Sequence, residues 1–114
     1  MIREWTLFLR DILSSIENIE EFTAGMDFDK FAADQKTISA VMMKLEVIGE
    51  AAKNIPREIR HKYKDIPWTD MAHIRDKLIH GYFSIDYLIV WKVITERLPD
   101  LKDKVKRILE SEKD

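Results

Sequence analysis

The feature that most constrains this chain is a run of apolar residues from Ile38 to Ile55. Ile38, Val41, Leu45, Ile48, Ala52 and Ile55 step by 3-4-3-4-3. That spacing keeps every side chain on one stripe of an α-helix and is incompatible with the two-residue period of a strand. It is the strict heptad seam by which helices pack nearly antiparallel. Asp34 stands just ahead of the pattern as an N-cap, and Pro56 closes it, because its ring cannot follow a helical residue. Gly49, Ala51 and Ala52 leave room for a neighbouring helix to come close.

The rest of the chain repeats the theme. Trp5, Leu9, Ile12, Ile16 and Ile19 form the stripe of a first helix, stopped near Gly25. "DFDKF" reads as a short turn or a single helical turn. "PREIRHKY" fits a short helix with Pro56 at its first position. Thr69 or Asp70 caps a third main helix over 69–80, with Met71, Ile74 and Leu78 buried and Gly81 as terminator. "SIDYLIVWKVITERL" reads as a fourth helix, apolar around most of its circumference through Ile85, Leu88, Ile89, Val93 and Ile94. It is either a central core helix or one that also packs against a second copy of the chain. A last helix starts at Pro99, with Leu98, Leu101, Val105 and Ile108 stepping 3-4-3. No segment alternates long enough to predict a strand. The expectation is an all-α, up-and-down bundle of four or five helices, forming one domain over 1–114.

Composition narrows the function classes. The chain has 114 residues, no cysteine and a net charge of −2. Disulfides and thiolate metal sites are excluded, and a cytoplasmic location is the default. No apolar run nears the roughly 18 residues that cross a bilayer, and "MIREWTLFLR" does not read as a signal peptide. The small net charge argues against coating nucleic acid by bulk attraction. Charges are nevertheless segregated. Positions 11–34 carry seven carboxylates against Lys30 alone, whereas 57–80 hold Arg57, Arg60, Lys62, Lys64, Arg75, Lys77 and all three histidines. A local basic patch of this kind suits a short RNA segment better than long duplex DNA, with Arg57, Arg60 and Lys64 as candidate guides.

The chemistry concentrates in "RDKLIHGY", residues 75–82. The histidine spacing provides no H-x-x-x-H metal site, the three glycines form no phosphate loop, and no serine sits in a nucleophile elbow. No cofactor is called for. Arg75 can clamp a phosphate and stabilise charge on its oxygens, and His80 can move a proton near neutral pH. Together they suffice for metal-free RNA cleavage through attack of a 2′-hydroxyl. If His80 ends a helix, the dipole favours its cationic form and its use as a general acid. Five residues on an ideal helix, however, turn the side chain by about 140°. Arg75 and His80 then share a site only if the helix ends or bends before Gly81, or if two subunits converge.

The ordered segments "AVMMKLEVIGEAAKNIP", "IPWTDMAHIRDKLIHGYFSIDYLIVWKVI" and "LPDL" resemble the HepT-like toxins of the HEPN superfamily, whose hallmark R-x4-H-x-Y stands here as Arg75, His80 and Tyr82. The resemblance spans about residues 5–101. It implies a homodimer with the two motifs facing each other, metal-independent ribonuclease activity using Arg75 and His80, and a minimal nucleotidyltransferase (MNT) antitoxin as partner. It further implies that the partner transfers AMP onto Tyr82. Asp76 stands where a small polar residue, often Asn, follows the arginine; it can orient a base or neutralise Arg75. Ser84 stands where Gly is frequent. The alternative is a catalytically silent helical subunit that binds a nucleotidyltransferase or its substrate.

Overall fold

The computed structural model describes residues 4–80 and 84–112, with residues 79 and 80 described by their backbone alone. The three predicted stripes form its core. In α1 (Trp5–Phe22), Leu9, Ile12, Ile16 and Ile19 are fully buried. The helix unwinds through Thr23 and ends its turn at Gly25, whose φ of 75° is the left-handed conformation that a residue with a Cβ resists. A short α2 (Phe28–Ala33) follows, capped by the Asp27 carboxylate, and drops Phe31 into the core. α3 (Gln35–Lys53) is the central helix. The Asp34 side chain accepts from the Thr37 N–H at 3.1 Å, and all six seam residues from Ile38 to Ile55 are buried. It packs against α1, α2 and the segment at 68–78.

Past Pro56 the chain makes α4 (Arg57–Lys62), then turns and enters α5 (Trp68–Ala72). Here the structure departs from the expected single helix over 69–80. It breaks at His73, restarts as α6 (Ile74–Leu78) and ends two residues before His80. The cause lies in tertiary contact. A Cβ placed on Gly49 of α3 would lie 2.9 Å from the Met71 carbonyl oxygen and 3.6 Å from that of Ala72. The end of α5 is therefore pressed onto α3 at the one residue with no side chain.

Ile79 and His80 are extended (β1) and pair antiparallel with Ser84 and Ile85 (β2), in the register Ile79 with Ile85 and His80 with Ser84. The expectation of no strand is thus corrected by one two-residue ladder, in an otherwise all-α bundle. Gly81, the expected terminator, lies outside the described residues. Asp86 then caps α7 (Tyr87–Lys92) by accepting from the Ile89 N–H.

The fourth and fifth predicted helices are joined rather than separate. A π-helical turn over Val93–Arg97 links α7 to α8 (Leu98–Ser111), and the Leu98 N–H reaches back five residues to the Val93 carbonyl. Pro99 explains the wider turn. It has no N–H to donate, and its ring would clash with the carbonyl four residues earlier in a tight α-helix. Leu98, Leu101, Val105 and Ile108 are buried as predicted. α7 differs: Val90 is its buried residue, followed by buried Ile94 in the π-helical turn, whereas Leu88 and Ile89 are 48% and 40% exposed. Phe31 and Trp91 rings lie 5.1 Å apart, tying α2 to α7. No helix among the described residues is long and apolar enough to cross a membrane.

Candidate active site

Arg75 projects from α6 at the rim of a groove of about 470 Å3 between α3 and the broken α5–α6 segment. The close approach at Gly49 shapes this groove, since it seats α5 against α3 and carries Arg75 into reach of the α3 side chains. Met43 and Val47 supply apolar walls, and Glu46, Glu50 and Lys53 supply charge. Met43 is 65% exposed in the single chain. The Nε of Arg75 lies 2.6 Å from the Glu46 carboxylate, with both side chains more than half exposed. Glu46 is the acidic partner of Arg75 among the described residues.

Sequence reasoning missed Glu46. Its signal was present: Met43, Glu46, Val47, Glu50 and Lys53 form an i, i+3, i+4, i+7, i+10 face beside Gly49. That face became informative only once the partner across Gly49 was known. Asp76, the other carboxylate near Arg75 in sequence, turns towards His73 instead, at 3.7 Å from its Nδ1, and both are exposed. In this structure it is Glu46 that balances Arg75.

His80 does not end a helix: α6 stops at Leu78, so the expected helix C-terminus is not at His80. The same change removes the 140° obstacle, because the helix stops at Leu78 and the chain reverses through β1 and β2. The Leu78 carbonyl accepts from the Asp86 N–H at 3.0 Å, which closes the base of this reversal. The His80 side chain and the whole of Tyr82 lie outside the described residues.

The basic residues of α4 form a second, smaller groove of about 220 Å3, lined by Arg57, Arg60, His61, Trp68 and Thr69. Lys64, proposed from sequence to act with Arg57 and Arg60, does not line it. α4 is fastened to the end of α8 by a separate set of contacts. Lys62 pairs with Glu112 at 3.1 Å, the Tyr63 hydroxyl donates to the same carboxylate, and Lys104 donates to the Asp65 carbonyl. The Tyr63 hydroxyl, then Lys62, holds the Glu112 carboxyl below the ordinary carboxylate range; Glu112 in turn raises Lys62. Lys62 is thus committed to structure, whereas its basic neighbours are not.

The family model described as "Ribonuclease HepT-like" matches residues 12–108. The chain belongs to the HepT-like ribonuclease family. A protein of Thermococcus cleftensis named "Probable ribonuclease HepT" is 48% identical over 101 residues, covering 89% of this chain and 92% of that one. One of Methanocaldococcus jannaschii, named "Putative RNase MJ0127", is 50% identical over 97 residues, covering 84% and 80%. A third, from Caldanaerobacter subterraneus subsp. tengcongensis and named "Putative RNase TTE0752", is 42% identical over 106 residues, covering 93% and 95%. No solved structure matches the chain. The family match includes the whole "RDKLIHGY" stretch, both grooves and the α3 seam.

Proposed function

We propose that this HepT-like protein is the ribonuclease toxin of a HepT/MNT toxin–antitoxin pair, cutting RNA without a metal ion at a site shared by two copies of the chain. The observation that carries the reading is Arg75 at the mouth of the α3–α6 groove, followed by a helix end that frees His80 from the helical angle, in a chain of a ribonuclease family. His80 removes the proton of a 2′-hydroxyl, and the resulting oxygen attacks the adjacent phosphorus. Arg75 stabilises the phosphorane through charge-assisted contacts to its equatorial oxygens. The 5′-oxygen of the next nucleotide leaves and takes up a proton, giving a 2′,3′-cyclic phosphate and a 5′-hydroxyl. A second copy covers the exposed Met43 and Val47 beside Arg75 and brings the two motifs face to face.

Control of the toxin follows from Tyr82, two residues beyond His80. An MNT-type nucleotidyltransferase transfers AMP from ATP to the Tyr82 hydroxyl and releases pyrophosphate. The product carries new bulk and a negative phosphate next to the motif, which repels RNA and fills the cleft. A silent subunit that binds a nucleotidyltransferase is the second reading, and the Glu46–Arg75 ion pair is the observation in its favour, because it offsets the charge that a phosphate would need.

Mixing two inactive variants tests the shared site. Arg75→Ala and His80→Ala proteins should each fail to cut RNA, and mixed dimers should recover activity because one site then holds both intact residues. If mixtures stay inactive although subunit exchange is demonstrated, the shared site is wrong.

A further inference from the structure

We propose that the groove between α4 and α5 is a phosphate subsite that holds the RNA backbone away from the bond being cut. The inference rests on the ribonuclease reading above and adds to it a binding site of its own. Arg57, Arg60 and His61 come from one short helix and face Trp68 and Thr69 across a small groove. None of these three side chains has an ion pair or side-chain hydrogen bond among the described residues. This contrasts with Lys62, Lys77 and Lys102, each held by a carboxylate. The Arg60 Nε is buried from solvent with no acceptor at all. A buried guanidinium nitrogen without a partner is an unusual arrangement, and no carboxylate among the described residues competes with an anion for the guanidinium that lines the groove.

The shape selects a phosphate over a base. Trp68 is 6% exposed, and its indole N–H already donates to the Tyr63 carbonyl at 3.0 Å. Its ring is therefore a floor, with no free face on which a nucleobase could stack. Two guanidinium groups, an imidazole and the Thr69 hydroxyl offer donors suited to phosphate oxygens.

Location ties this groove to the Arg75 site. Ala72 lines the Arg75 groove, and Trp68 and Thr69 line this one. Residues 68 and 69 stand four and three positions before 72, one helical turn away, so the two grooves adjoin along α5. A single strand lying along α5 meets Arg75 at one end and the α4 cations at the other. The groove joins His61 and Thr69 to Arg57 and Arg60, two of the three residues grouped from sequence as RNA guides.

The test measures binding of a 2′-O-methyl RNA oligonucleotide, whose blocked 2′-oxygens prevent cleavage, to the full chain across a series of KCl concentrations. For single strands, log K falls with log salt by about 0.7 per phosphate neutralised. Arg57→Gln/Arg60→Gln should weaken binding at low salt and make the slope shallower by about that amount. Arg57→Gln/His61→Gln, which leaves the part-buried Arg60 in place, should do the same and guards against a folding defect in the first variant. Lys30→Gln, which removes a cation near the opposite end of α3, should leave the slope unchanged, and excess inorganic phosphate should compete.

Unchanged affinity and slope in both folded double variants would overturn the subsite, as would an equal loss in Lys30→Gln. Separate measurement of cleavage of ordinary RNA distinguishes the two claims. A wild-type protein that cuts nothing yet shows the slope change loses its ribonuclease reading and keeps the groove as an RNA-binding site. A wild-type protein that cuts RNA with no slope change in the variants keeps the reading and loses the subsite.

Discussion

Replacing Gly49 by alanine sets two effects of opposite sign against each other. Inside an exposed helix, alanine is better than glycine by about 0.8–1.0 kcal/mol. At this position the added Cβ would stand 2.9 Å from the Met71 carbonyl oxygen, closer than such atoms approach. The obstacle is backbone, so it cannot swing aside as the end of a side chain would, and overpacking of this kind costs about 1–3 kcal/mol. The net expectation is a loss of about 1 kcal/mol, which for a domain of this size lowers Tm by about 4 °C. Relief also requires α5 to move away from α3, carrying Arg75 from Glu46 and widening the groove. Thermal unfolding and RNA cleavage measured on the same preparations should therefore both fall, with cleavage reduced even at temperatures where the variant is fully folded. A variant as stable as wild type or more stable, with cleavage intact, would refute the close contact and the account of why the helix breaks at His73.

Phe31→Ala removes a fully buried ring stacked near Trp91 and should cost about 3–5 kcal/mol in denaturant unfolding. Glu46→Gln removes the negative charge that offsets Arg75; both side chains are more than half exposed, so the pair is worth about 1 kcal/mol or less, and KM for RNA should fall by up to about fivefold with kcat little changed. A rise in KM would show that Glu46 does not compete with RNA for Arg75. The Asp34 cap gives a pH test. The Thr37 N–H holds its carboxyl below the ordinary value of 3.8. A depressed carboxyl adds stability that is complete above that value and is lost as pH falls through the lower one. The difference in unfolding midpoint between wild type and Asp34→Ala should thus be present at neutral pH and vanish in strong acid.

The long-range order of the bundle was legible because burial imposes helical spacing on sequence. The α3 seam, its Asp34 cap and the stripes of α1 and α8 all lie where the 3-4 steps put them. What escaped depends on contacts that no local period encodes. The break at His73 comes from Gly49 meeting carbonyls more than twenty residues away, although the smallness of Gly49 did announce a close neighbour. A ladder of two residues per strand is too short to alternate, so Ile79–His80 read as helix. Pro99 signalled an interruption, but the chain absorbed it with a π-helical turn instead of a new start. At the candidate site, Arg75 and His80 were legible as residue types suited to phosphate chemistry, whereas the helix end between them was not. The balancing role of Glu46 and the meeting of Arg57, Arg60 and His61 with Trp68 and Thr69 needed the fold, because these contacts are set by how helices are stacked.

The most direct test of the central claim is RNA cleavage by the full chain in excess EDTA, beside His80→Ala, with product ends mapped and mass spectrometry showing Tyr82 free of AMP. The expected result is cutting that survives the chelator, leaves 2′,3′-cyclic phosphate and 5′-hydroxyl ends, and disappears in His80→Ala. Unmodified protein that cuts no cellular RNA, or cuts only when metal is restored, would contradict it.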